Sequence, residues 1–139
     1  MRIQFEFEIT KLPLQYRLGI LSIIKEMIKS GSKEYYQQKF ETNSSKMKSF
    51  THGTFIKNIN IKNNEIYGER LILTISSPSY EFIMHLMNGS QRSEVYRYKG
   101  YVFTLKKKRL LPKPPEFTNL VTFRTVSPLL IENRNGRPI

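Results

Sequence analysis

The chain has no cysteine among its 139 residues. That removes disulfide frameworks, thiolate metal sites and cysteine nucleophiles, and suits a reducing, cytoplasmic interior. Histidine is nearly absent too: His52 and His85 are the only two, so a histidine-rich metal centre is excluded and no cofactor is expected. Acidic residues are scarce, 11 against 23 Lys and Arg, for a formal net charge of +12 and a sequence pI near 10.0. No apolar run approaches the roughly 18 residues of a membrane span, and Glu6 and Glu8 interrupt the N-terminal apolar residues as no signal peptide would. The seven glycines are scattered, and no P-loop, G-x-G-x-x-G, H-E-x-x-H or Ser-His-Asp order occurs. What the chain does have is a core: 39% apolar and 12% aromatic residues, enough for one compact domain. The cationic surplus points to a polyanionic partner, nucleic acid before an anionic membrane surface.

The N-terminus alternates. Ile3, Phe5, Phe7 and Ile9 share one face and Gln4, Glu6 and Glu8 the other, the period of a half-buried strand. From Leu14 the period becomes helical, through Leu18, Leu21, Ile24 and Ile28, with Ile20, Ile23 and Met27 widening the stripe. Pro13 fits a first helical turn, and Lys29, Ser30 and Gly31 supply C-terminal signals, with Gly31 in the left-handed position. Residues 31–49 form a long polar connection with a short helix over 34–39, and connections of that length are usually functional. A strand over 50–61 puts Phe55, Ile59 and Ile61 on one face, and a turn at Asn63 and Asn64 leads into a strand over 66–75 with Leu71, Leu73 and Ile75 inward. Ser77 and Pro78 fit an N-cap and first turn for a helix with Tyr80, Phe82, Ile83, Leu86 and Met87 as its stripe, closed by Asn88 and Gly89. A short strand over 95–98 pairs across Lys99 and Gly100 with one carrying Tyr101, Phe103 and Leu105. A last extended run covers 120–131 within a domain of 1–132, and 133–139 reads as a tail or the start of a linker.

Strand, helix, strand, strand, helix, strand is the split βαβ arrangement: an α+β, ferredoxin-like antiparallel sheet with two helices on one face, plus an extra C-terminal strand. The residues that fill this frame resemble a family. MRIQFEFEITKLPLQYRLGILSIIKEMI resembles the first strand and helix of the CRISPR repeat-processing endoribonucleases, the sixth Cas family of the RAMP superfamily. KMKSFTHGTF, GYVFTLKKKRLL and NLVTFRTVSPLLIEN, with its Ser-Pro-apolar turn at Ser127 and Pro128, follow in the family's order and spacing. Members hold two tandem ferredoxin-like domains with a glycine-rich RNA-contacting loop late in the second. This chain stops near the end of the first. It is therefore expected to be either the N-terminal part of such a nuclease or a half-length, non-catalytic relative. The second would bind RNA or a CRISPR effector complex, as a phage-encoded anti-CRISPR mimic would.

The resemblance implies metal-independent cleavage, in which the ribose 2′-hydroxyl attacks the adjacent phosphate and leaves a cyclic phosphate and a 5′-hydroxyl. That chemistry needs a base, an acid and a cation on the phosphate. The family draws its histidine from the first helix or the loop after it, where this chain has none. His52, entering the second strand, becomes the candidate general base or acid, with Lys48 or Lys46 as phosphate clamp and Tyr36 or Tyr35 as helper. His52 could equally be a strand residue bonded to a neighbouring carbonyl, and Gly53 beside it either admits a close RNA backbone or marks a bulge. His85 reads as a solvated helix residue. The run Lys106, Lys107, Lys108, Arg109 should put Lys106 and Lys108 on one face and, beside aromatic residues, suits RNA backbone and base contacts. Solubilising charge at a sheet edge is the plainer alternative. Arg97 and Lys99, with Arg92, form a second patch among Tyr96 and Tyr98. The expected partner is RNA, the CRISPR repeat above all. CRISPR effector subunits and a second copy of the chain are further candidates, and no membrane is expected.

Overall fold

The computed structural model describes residues 1–41 and 49–112, together with positions 120, 122 and 124. The expected strand over 120–131, Lys46 and Lys48 lie outside the described residues or their regular elements. Within them the order is β1 (Arg2–Glu8), β2 (Lys11–Pro13), α1 (Tyr16–Gly31), α2 (Lys33–Tyr36), a π-helical turn (Gln37–Glu41), β3 (Thr51–Lys57), β4 (Asn60–Lys62), β5 (Glu65–Tyr67), β6 (Arg70–Ser76), α3 (Tyr80–Ser90), β7 (Val95–Tyr98) and β8 (Tyr101–Leu110). Five strands form an antiparallel sheet in the order β3-β6-β1-β8-β7. With β7 set aside as an edge addition, this is the ferredoxin-like order, with α1 and α3 packed together on one face. A smaller sheet, β2-β5-β4, sits at the distal end of the β3–β6 hairpin.

The core follows from the alternation. Ile3, Phe5 and Phe7 of β1, Leu71, Leu73 and Ile75 of β6 and Phe103 of β8 are fully buried against Ile20, Ile23, Ile24, Met27 and Ile28 of α1 and Phe82, Ile83 and Leu86 of α3. Phe7 anchors it, meeting the rings of Tyr96 and Phe103 edge-on at 6.1 and 6.2 Å. Burying such side chains contributes about 1.5–3 kcal/mol each.

Several expectations need correction. Pro13 ends β2 instead of opening the helix, which begins at Tyr16, and Leu14 and Leu18 are exposed, so the buried stripe of α1 is the isoleucine-rich one. Gly31 and Gly89 are not helix stops. They lie in the last turns of α1 and α3, where the two helices cross backbone to backbone: a Cβ on Gly89 would fall 2.6 Å from the Met27 carbonyl carbon, and one on Gly31 would fall 2.8 Å from that of His85. The cap of α3 is Ser79, whose hydroxyl accepts from Phe82 N at 3.2 Å, while Ser77 Oγ accepts from Ser79 N at 3.0 Å. Tyr80, placed in the apolar stripe from its spacing, is 69% exposed. The strand over 50–61 breaks at Asn58, whose φ of 57° ends β3 and starts the arm that carries β4. Asn63 and Asn64 do form the turn, at φ 52° and 59°. Lys99 and Gly100, at φ 49° and 83°, give the two-residue β7–β8 hairpin that their positions predicted.

Candidate nucleic-acid interface

The side of the sheet away from the helices is the open face. Strand register assigns its residues in rows that cross the strands. One row runs Gly53, Thr74, Gln4, Arg109 and the next Phe55, Ile72, Glu6, Lys107. A third begins Lys57, Arg70, Glu8 and Thr104, and Arg97 faces Val102 on the outermost pair. Seven cations thus stand on this face of the five strands: Arg2, Lys57, Arg70, Arg97, Lys106, Lys107 and Arg109. Its carboxylates are Glu6 and Glu8, and both are engaged, Glu6 by Arg70 at 2.5 Å and Glu8 by Lys106 at 3.7 Å. Arg97, Lys107 and Arg109 have no carboxylate partner among the described residues, although Arg109 Nε donates to Gln4 Oε1 at 3.0 Å.

A β-bulge shapes the lysine run. The β1–β8 register shifts between Glu6 and Phe7, so Leu105 pairs with Phe7 while Lys107 pairs with Glu6 and Lys108 with Phe5. Lys106 is the inserted residue, reaching Glu8. The extra residue breaks the alternation expected to set Lys106 with Lys108: Lys107 and Arg109 join Lys106 and Lys108 pairs with Phe5, while all four line one groove with Gln4, Glu6 and Ile72. Lys99 occupies the hairpin turn, its ammonium 5.5 Å from the Tyr98 ring centroid.

His52 takes the other side of β3. It pairs with Ile75 and so faces the helices, in a groove of about 820 Å³ that folds over the edge of the sheet. Tyr16, Arg17 and His52 line it toward the helices and Gln4, Phe55 and Thr74 toward the open face. Tyr16 and Thr54 hold hydroxyl to hydroxyl at 3.4 Å across the α1–β3 gap. Burial depresses the His52 pKa below 6.5, and the positive charge of Arg17 pushes it the same way, so the imidazole is neutral at pH 7. Arg17 has no ion-pair partner among the described residues. Neither Tyr16 nor Arg17 was singled out from sequence. Their nearness to His52 depends on how α1 lies across β3, which no local spacing encodes.

The other expected site residues part company with His52. Tyr36 stacks on Phe40 at 5.4 Å, and the run of rings continues through Phe50 to His52 at 6.3 Å per step. Tyr36 therefore stands three rings from the imidazole. It lines a different groove with Lys25 and Lys29, the Lys29 ammonium lying 5.7 Å from its ring centroid. Tyr35 is buried as a loop anchor, its ring 4.7 Å from that of His85. His85 is accordingly not a solvated residue: its side chain is 15% exposed, 3.6 Å from Glu81. No cluster of three or more metal-ligating side chains occurs among the described residues, and no described helix is long and apolar enough to cross a membrane.

No protein-family model and no curated protein matches the chain. Solved structures do. A structure titled CRISPR associated protein Cas6 is 28% identical with a TM-score of 0.62, covering 84% of this chain and 51% of its own. A RAMP protein binding different RNA substrates is 19% identical at TM-score 0.70, over 85% of this chain and 50% of its own. The product of a Cas6-related gene from Pyrococcus furiosus is 19% identical at TM-score 0.64, over 86% and 51%. The two at 19% attest the fold alone. The chain spans about half the length of each. In fold, and along most of its own length, the chain is similar to Cas6.

Proposed function

We propose that the chain is a CRISPR-associated RNA-binding protein that holds single-stranded RNA across the open face of its five-stranded sheet. The observation that carries this reading is the charge balance of that face: seven cations against two carboxylates, both of the latter already paired. The likeness to Cas6 and to a RAMP protein described as binding different RNA substrates supports RNA as the polyanion. The alternative of a phage-encoded inhibitor draws nothing from either. The test is salt-dependent binding of labelled repeat RNA. Single strands release about 0.7 counterions per phosphate contact, so Lys107→Gln and Arg109→Gln should each flatten the logarithmic salt slope by about 0.7. Binding that ignores salt, or survives both changes with its slope intact, rejects the open face.

A second reading is favoured by one specific feature, a neutral imidazole beside a guanidinium that has no ion-pair partner among the described residues. His52 has the protonation state of a general base and Arg17 the charge for a developing phosphorane, two of the three needs of this cleavage. The proton leaves the 2′-oxygen for His52 as the oxygen bonds to phosphorus, the bond from phosphorus to the 5′-oxygen breaks, and the departing oxygen takes its proton from water. Labelled repeat RNA in EDTA tests it: cleavage by the intact protein that vanishes in His52→Ala supports the reading, and intact RNA with the unaltered protein ends it.

A further inference from the structure

We infer that Phe55 is a stacking platform for a single RNA base, the feature that sets the register of the strand on the sheet. This rests on the RNA-binding reading above and adds a subsite to it. Phe55 is 62% exposed in the middle of β3, a position from which a phenyl ring could have been excluded at no cost to the core. Tyr96, Tyr98, Tyr101 and Phe103 occupy the other side of β7 and β8, as the burial of Tyr96 and Phe103 and the contact of Tyr98 with Gly19 show. Phe55 is therefore the aromatic residue that the five strands present on the open face.

Its surroundings suit a base. Two positions back along the same face is Gly53, where even a Cβ would meet nothing within 4 Å, so flat space lies beside the ring. In the Gly53 row, Thr74 and Gln4 sit side by side, Gln4 Nε2 donating to Thr74 Oγ1 at 3.3 Å, and both line the groove that Phe55 lines. An amide and a hydroxyl next to a stacking surface can donate to and accept from a base edge. At the far end of the two rows stand Arg109 and Lys107, three strand spacings or about 14 Å from β3. One end of the rows thus offers a ring for a base and the other offers cations for phosphate. A protein partner could also cover an exposed phenyl ring, but the cations at the other end of the same two rows favour a polyanion that carries its own aromatic faces.

The protein has no tryptophan and eight tyrosines, so Phe55→Trp introduces a single tryptophan at the platform that can be excited apart from the tyrosines. With a labelled single-stranded RNA pool of random sequence, Phe55→Ala should weaken binding by about tenfold while leaving the salt slope unchanged, because stacking releases no counterions. Phe55→Trp should keep or improve the affinity, and its fluorescence should be quenched on saturation with RNA. Wild-type affinity in Phe55→Ala, or Phe55→Trp emission that RNA does not quench, overturns the platform while leaving the cationic face standing. Failure of the unaltered protein to bind the pool at low salt overturns both. Phe55 is outside the core, so thermal unfolding of each variant should match the parent and separate lost binding from lost fold.

Discussion

The crossing of α1 and α3 allows a sharp test of how this fold is held together. Gly89→Ala adds one methyl group where the Met27 carbonyl carbon lies 2.6 Å and the Gly31 nitrogen 2.9 Å from the new Cβ, both short of the 3.4 Å at which ordinary contact begins. Each obstacle is backbone, so no rotamer change relieves it. The Met27 carbonyl oxygen lies nearer still, so the helices must separate by more than the roughly 0.8 Å that the carbonyl carbon alone requires, and that opens the interface in which Met27, Ile28, Phe82, Ile83 and Leu86 are buried. Overpacking of this kind costs typically 1–3 kcal/mol, and loss of close contact across the helix pair adds to it. Alanine returns about 1 kcal/mol through helix propensity. The expected net loss is about 2 kcal/mol, seen as a lower urea midpoint at unchanged m-value and a fall of about 7 °C in Tm. Gly53→Ala, where the added carbon meets nothing, is the control and should stay within about 0.5 kcal/mol of the parent. A Gly89→Ala protein as stable as the parent would show that the helices do not cross this closely.

Three other outcomes follow from single groups. The Tyr96 hydroxyl is buried without a hydrogen-bond partner among the described residues, and its pKa is pushed up to about 12 by burial and then by Glu26; Tyr96→Phe keeps the edge-on contact with Phe7 and should raise stability by about 1 kcal/mol in urea titration. His52 has a folded pKa below its ordinary 6.5, so once the pH falls below about 6.5 the unfolded chain binds the extra proton first and stability declines until the folded pKa is passed; His52→Gln should show a shallower decline over that window when unfolding is measured at successive pH values. Glu65 accepts from the Tyr101 hydroxyl at 3.0 Å and lies 3.7 Å from the Lys11 ammonium; its hydrogen bond is the first cause of the raised Tyr101 pKa, and Glu65→Gln should bring the phenol's ultraviolet titration midpoint down toward 10.

Period alone located most of the scaffold. Ile3, Phe5 and Phe7 at every second position, and Ile20, Ile23, Ile24, Met27 and Ile28 at helical spacing, are the residues that pack together, because burial acts on periodic faces whatever the chain does elsewhere. The Lys99–Gly100 and Asn63–Asn64 turns were legible for a local reason: these residue types tolerate positive φ. What sequence hid was relational. Gly31 and Gly89 look like helix stops from their own neighbours, and only the approach of the partner helix gives them a different task. Phe55 looked like one of a row with Ile59 and Ile61, but the left-handed Asn58 divides that row between two sheets. His52 was found by scarcity, since the chain has two histidines. Its companion Arg17 depends on tertiary packing and could not be found that way.

The inserted residue at Lys106 changes what a strand can display. Regular pleating spaces same-side neighbours about 6.6 Å apart, twice the rise per residue, which caps the density of positive charge along any one strand. By letting two successive lysines, Lys106 and Lys107, emerge together before Arg109 resumes the alternation, the irregularity puts three cations into four residues on one side. An apparent flaw in the ladder thereby concentrates electrostatic potential at one place on an otherwise evenly ruled surface.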